Sequence, residues 1–497
     1  MKRATTLLVL GVGLLVAIGL VTLSSAGIYT RLRPHAFSPA NVVESSLTSL
    51  ALRLRDRSDP VAEYVAGRLT PIGQWAVNEA LGEKPDVKAV RRMLAEDFNQ
   101  IINGPLIYDP VVFSQTQLDR ETRELLERKP VDNDVALANR RLLEESFPGQ
   151  LSRKQGVGNL KMQLFWAVAG IGLGIGAAMF DYRRLKDVSW VIWLAAVVLL
   201  ALVFVPGIGR RINGSNRWLN LGFANLQPSE FAKLAVIVVV AHYAEVNRRR
   251  MGGVLRGLFL PLLLVAPLLG LIVAEIDVGT TVLLVLVTAA MLLLAGSSVR
   301  WVAGAGVAFA AGIAALIYHN PVRFKRVLAF WNLEEHKAGI GYQVWQGIVA
   351  LASGGWTGAG LGDGLQKLGF VPENQTDFIL SIIGEELGLV ATLGMVLTYL
   401  VVVGSGLYIA SHARDRFGFL LGAGISLLIG FQAFINIAVV TSLLPNKGLP
   451  LPFVSYGGSS LLTMLVGVGL LLSVSRNTEE SVPEPAGIVG DRELAAT

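Results

Sequence analysis

Apolar runs long enough to cross a bilayer constrain this chain more than any other feature. They lie near residues 5–24, 161–180, 187–206, 230–247, 256–274, 278–296, 300–318, 378–410, 417–440 and 459–474. Hydrocarbon offers no partner to a free backbone N–H or C=O, so an apolar run of about 20 residues satisfies its own hydrogen bonds as a helix. The expectation is an all-α polytopic membrane protein with ten transmembrane helices. Composition agrees, since charged residues make up 16% of the chain against roughly 25% in soluble domains. The run at 378–410 is long for one span, so it is either tilted or begins as a shorter re-entrant element.

Met1-Lys2-Arg3 before the first run, and Ser24-Ser25-Ala26-Gly27 after it, also fit a signal peptide. We read 1–27 as a retained span, because an even count places the short basic loops on one side; cleavage would leave nine spans. With the N-terminus inside, the inner loops are 181–186, 247–250, 297–300 and 411–416, and each carries Arg or Lys. The polar stretch 476–497 then becomes a disordered cytoplasmic tail. Residues 28–157 are of another kind: polar, mixed in charge and punctuated by proline. Apolar residues recur there at three and four, as in 86–102 and 117–126, which predicts an extracytoplasmic insert of amphipathic helices. Nine spans occupy 158–475.

This topology gathers the insert, the 207–229 loop, the Glu275/Asp277 turn, the 319–377 loop and the 441–458 loop on the outer face. Function is therefore expected there. The chain has no cysteine, which excludes disulfides and thiolate chemistry. Its net charge of +6 resides largely in short loops between apolar runs, which speaks against a nucleic-acid surface. Two outer loops break the charge rule, one with Arg210, Arg211 and Arg217, the other with Arg323, Lys325 and Arg326. An anionic ligand at the outer leaflet would account for them, as would snorkelling to headgroups. The stretch Gly339–Gly388 is too polar and glycine-rich to span, and Asp377 stands where it re-enters the membrane, with Glu385 and Glu386 beyond. Ionisable groups at that depth are costly and point to function. The glycines of 353–364 lack the Lys-Ser/Thr of a phosphate loop, and the five histidines show no ligand spacing, so no protein-built metal site is expected.

Residues 213–235, NGSNRWLNLGFANLQPSEFAKLA, resemble the N-G-x-x-R-W…Q-P-S-E-x-x-K stretch of the SEDS family (shape, elongation, division and sporulation proteins). The segment 341–388 is similar to that family's large fourth outer loop, and LLPNKGLPLPFVSYGGSS at 443–460 to its last. GLVTLSSAG in the first span and FDYRRL after the second also fit. The Lys-Gly-Leu-Pro-Leu-Pro wording is closer to the division member than to the elongation member. Two departures stand out. Gln375 replaces the usual His before Thr-Asp-Phe, and Glu275-Ile276-Asp277 replaces the usual Gln-Pro-Asp.

The resemblance implies an inverting glycosyltransferase that polymerises lipid II into glycan at the outer face of the bacterial cytoplasmic membrane. It implies a class B penicillin-binding protein as partner, together with other divisome or elongasome membrane proteins. A flippase of the lipid-linked precursor is the alternative. Polymerisation needs a base for the acceptor hydroxyl and stabilisation of a leaving diphosphate. Asp377 matches the family's catalytic carboxylate, although Thr376-Asp377 is also a natural helix cap. Arg210 and Arg217 are candidate diphosphate contacts, with Lys367 and Lys447 behind them. Glu230 and Lys233, at i and i+3, form an ion pair or orient the site. Trp218 is a sugar platform or an interfacial anchor. Ser455 and Tyr456 bind substrate or satisfy their own loop. Asp277, Glu385 and Glu386 are supporting carboxylates. A divalent cation, Mg²⁺ or Mn²⁺, is expected to bridge carboxylate and diphosphate, with no organic cofactor.

Overall fold

The computed structural model describes residues 1–32, Val135 and 155–479, other than 213–214, 221, 223–224, 338, 365, 367–370, 372–374 and 447. The chain divides into two units. One comprises Met1–Ser25, Asn159–Gln366 and Glu373–Thr497; the other comprises Ala26–Gly158 and Lys367–Pro372. The helices expected at 86–102 and 117–126 lie outside the described residues, as do Lys367 and Lys447.

The described helices are α1 (Lys2–Leu32), α2 (Gln155–Met179), α3 (Leu185–Leu202), α4 (Pro228–Val246), α5 (Leu260–Ala274), α6 (Val278–Leu294), α7 (Val299–Tyr318), α8 (Pro321–Trp331), α9 (Tyr342–Ser353), α10 (Ile379–Ser411), α11 (Arg416–Val440) and α12 (Gly458–Glu479). Three boundaries shift from the sequence reading. α1 continues past residue 27, α2 starts before 158, and α12 runs four residues into the expected tail. A hydrogen-bond ladder does not stop where apolarity stops.

Eight of the ten expected spans coincide with helices long and apolar enough to cross a membrane. The other two are α6, which has only 17 residues, and α4, whose 19 residues include Glu230, Lys233 and Glu245. Burial explains how α4 carries charge. Its residues Ala232–Ala241 are all buried, so protein surrounds the helix on every side. α11 is also a core helix, with 72% of its most apolar stretch buried, whereas α7 has 6% and presents its apolar surface outward.

Local chemistry sets the helix ends. Pro228 opens α4 at a position where its missing N–H costs nothing. Asp277 caps α6 by accepting from the Thr280 N–H at 3.1 Å, and Asp415 caps α11 through Gly418. Asp415 also accepts from Tyr182 Oη and Lys186 Nζ, both at 2.7 Å, while Lys186 reaches Glu245 at 2.8 Å. These bonds tie the ends of α3, α4 and α11 together.

The structure corrects the all-α expectation and, of the two readings of 378–410, favours the shorter element followed by a span. The 207–229 loop contains a three-stranded antiparallel sheet in the order β1 (Gly209–Ile212), β2 (Ser215–Asn220), β3 (Asn225–Leu226). A bulge falls between Arg210 and Arg211, and Arg210 pairs opposite Trp218. α10, for its part, is broken rather than merely tilted, because Gly388 has φ +77°, outside helical backbone. Residues 379–387 form a short element and 389–411 the long one.

Candidate active site

The break in α10 is where the Gly-rich loop docks. Leu389 N–H donates to Gly355 O (2.9 Å) and Val390 N–H to Trp356 O (3.2 Å). From the loop, Ala359 and Gly360 donate to the carbonyls of Glu385 and Glu386. α9 and the first part of α10 thus form a re-entrant helical hairpin whose freed backbone groups are satisfied within protein. A side chain on Gly388 would collide with the backbone of 356–358.

Asp377 precedes this hairpin's second arm and is half-buried. Its carboxylate lies directly against the α-carbon of Gly448, where any side chain would strike Oδ2. The backbone around it is clamped from three sides. Asn436 Nδ2, from the buried face of α11, donates to Asp377 O (2.8 Å) and Leu449 O (2.7 Å). Ser455 Oγ donates to Thr376 O and accepts from Leu451 N–H, while Tyr456 N–H donates to Gln375 O. Asn159 Nδ2 donates to Gln375 Oε1 at 2.9 Å. Ser455 therefore fastens the loop before α12 to the segment before Asp377.

One turn along α11 from Asn436, Gln432 accepts from Lys233 Nζ (2.9 Å) and donates to Pro450 O (2.8 Å). Lys233 is 0% exposed and paired with Glu230 at 2.8 Å. Removing one partner would strand a buried charge, and it is the Lys233–Gln432–Pro450 chain that ties α4 to α11 and the loop. Its ammonium is closed to any ligand in this conformation.

Arg217 belongs to a separate cluster. Its Nε donates to Glu275 O (3.2 Å), its Nη2 to Ile276 O (2.8 Å), and its Nη1 lies 3.9 Å from Asp277 Oδ2. The turn that presents these carbonyls holds Ile276 at φ +65°, a strained conformation for a β-branched residue. Arg217 and Asp277 line a cleft of about 150 Å³ with Arg326, Pro445, Asn446 and Gly448. Gly448 is shared: it lines the cleft and also meets the Asp377 carboxylate. Glu275 is 1% exposed, and burial, reinforced by the neighbouring Asp277 charge and opposed by Arg217, pushes its carboxyl up to about 8.

A sequence model of the FtsW/RodA/SpoVE cell cycle proteins matches residues 147–480. The chain belongs to the FtsW/RodA/SpoVE family. A probable peptidoglycan glycosyltransferase FtsW of Trichlorobacter lovleyi is 41% identical over 317 residues, covering 64% of this chain and 83% of its own. One of the same name from Geobacter sp. strain M18 is 40% identical, covering 64% and 86%. A solved chain from work on polymerization and crosslinking by a peptidoglycan synthase complex has a TM-score of 0.56 at 28% identity, over 65% of this chain and 90% of that one. As a member of the FtsW/RodA/SpoVE family the protein is an integral membrane protein, in keeping with its apolar helices.

The structure brings Arg217 and Asp277 to one cleft and sets Asp377 against Gly448, which also lines it. It sets Ser455 and Tyr456 as backbone clasps, and Glu230 and Lys233 as a buried pair behind them. Arg210 is exposed on β1 and Trp218 half-buried on β2, and neither lines the cleft. Glu385 accepts from Gln366 N–H (3.1 Å) and Glu386 from Ser25 Oγ (3.0 Å), inside the hairpin. Sequence reasoning missed Gln432 and Asn436. Two amides at i and i+4 in the apolar run 417–440 were the signal that could have found them.

Proposed function

We propose that this chain is a peptidoglycan glycosyltransferase of cell division that polymerises lipid II at the outer face of the bacterial cytoplasmic membrane. The observation that carries the reading is the Asp377 carboxylate packed against Gly448, a residue that itself lines the cleft of Arg217 and Arg326. One glycine thus links a carboxylate to a cleft holding two fixed-fork cations suited to phosphate. In the proposed reaction Asp377 takes the proton of the acceptor sugar hydroxyl as its oxygen bonds to the anomeric carbon from the face opposite the leaving group. The bond from that carbon to the diphosphate oxygen breaks, and the polyprenyl diphosphate departs with its charge against the guanidinium groups. The configuration inverts.

Among the described residues no group of three His, Cys, Asp or Glu side chains could hold a metal ion. A divalent cation, if bound, would be met by the Asp377 carboxylate and would neutralise charge on the leaving diphosphate. The partner in this reading is a class B penicillin-binding protein, and α4 and α6 complete ten spans with both termini cytoplasmic.

The test is polymerisation of lipid II by the purified protein with its partner and a divalent cation, comparing wild type with Asp377→Asn. Polymer from wild type alone is expected. Polymer from both moves the base elsewhere. A folded complex that makes none, yet moves lipid II across vesicles, replaces the enzyme with a flippase.

A further inference from the structure

We infer that Glu275 is a proton-carrying positioning residue that sets the charge of the cleft around Arg217 and thereby how tightly that cleft holds an anionic diphosphate. The inference rests on the glycosyltransferase reading for the identity of the anion.

Glu275 closes α5 and is buried, yet among the described residues neither of its carboxyl oxygens has a hydrogen-bond partner. A carboxylate left in that state is expensive, and a proton removes the charge. Desolvation comes first and the Asp277 charge second in raising the group to about 8, so at neutral pH it is chiefly the neutral acid. Its backbone acts separately from its carboxyl. The carbonyls of Glu275 and Ile276 take two of the guanidinium's donors and leave the others for Asp277 and the cleft.

The charges around it can be named. Arg217 comes from β2, Asp277 from the same turn, and Arg326 from α8 lines the same cleft. Lys233 on neighbouring α4 is bound up with Glu230. With Glu275 neutral, the two arginines that line the cleft exceed its lining carboxylate, Asp277, by one positive charge. Ionisation of Glu275 cancels that excess and gives Arg217 a second carboxylate beside it, so an anion loses its attraction. A change of one charge about 4 Å away is worth roughly fivefold in affinity at the water-like dielectric of an open cleft.

The experiment measures KM and kcat for lipid II polymerisation by the complex, from mildly acidic to mildly alkaline pH, for wild type and Glu275→Gln. In wild type KM should rise roughly fivefold as pH passes about 8, while kcat follows its own profile. In Glu275→Gln that rise should vanish, because the amide cannot ionise. Equal rises in both proteins, or a flat KM in wild type, overturn the proposal. Infrared spectroscopy of the wild-type protein gives a readout independent of activity and of the variant's folding. A protonated-carboxyl band should disappear near pH 8, and its absence overturns the proposal by itself. If no polymer forms at any pH, the functional reading fails instead. Retention of labelled inorganic pyrophosphate across the same transition then decides the role of Glu275. Weaker retention above it in wild type supports the role, and unchanged retention overturns it.

Discussion

Asn436 spends both of its amide hydrogens on carbonyls, one of Asp377 and one of Leu449, and so ties the proposed base to the loop that bears Gly448. Asn436→Leu keeps the volume and removes both donors, leaving two carbonyls short of partners at about 1–3 kcal/mol each. We expect kcat for polymerisation to fall on the order of tenfold to a hundredfold, with KM little changed, since displacement of a base is felt chiefly in the reacting geometry. Asn436→Asp should do equal damage, because it presents acceptors to carbonyls; an active Asp variant would show that the amide does not serve as the donor. Glu275 supplies a stability prediction of opposite sign. Its carboxyl is raised from 4.5 to about 8 in the folded protein, so the stability it contributes as an acid is complete below the lower value and is lost as pH rises through the upper one. Glu275→Gln should therefore melt above wild type at neutral and alkaline pH, by about 3 kcal/mol at neutrality, with the gap closing toward acidic pH. Thermal unfolding in detergent across that range checks it.

At the scale of elements, the site depends on a helix that stops and restarts. Gly388 adopts φ +77° and lies against the backbone of 356–358, so Gly388→Ala introduces both left-handed strain and a collision with main chain that cannot swing aside. The strain alone costs about 1–3 kcal/mol. The variant should unfold several degrees lower and lose polymerisation, while Gly394→Ala in the same helix, which meets nothing within 4 Å, should leave both unchanged. This hairpin was partly legible in sequence, because a polar, glycine-rich stretch between apolar runs must be buried in protein or line a cavity. Asp377 drew attention as an ionisable group at membrane depth, and its proposed role as base comes from the family resemblance. The sheet at 209–226 was not, since its strands are only two to six residues long and carry no alternation strong enough to register. Asn213-Gly214, a favoured hairpin dipeptide, was the available sign. The strained turn at Ile276 left no trace, because a β-branched residue is the last type that composition would assign to positive φ.

Across the whole molecule, hydropathy and burial give different counts, and the difference lies in α4 and α6. Among the described residues length and apolarity admit eight spans, because α6 is short and α4 is charged. Burial removes both objections: α4 sits among other helices, where Lys233 and Glu230 meet each other instead of lipid, and a short helix can cross when protein shields its ends. If both cross, the chain has ten spans, and Asn216 and Glu335 face outward while Asn247 and Ser298 face the cytoplasm. The absence of cysteine makes this directly measurable, since a single introduced cysteine is the only thiol in the chain. A membrane-impermeant maleimide on intact cells should label Asn216→Cys and Glu335→Cys, and should reach Asn247→Cys and Ser298→Cys only after permeabilisation. Asn216 and Asn247 flank α4, so labelling of both from one side would show that α4 does not cross. The basic inner loops would then lose their common side. The cleft of Arg217, Arg326 and Gly448 would also lose its place at the outer surface, and with it the access to lipid II that the proposed reaction requires.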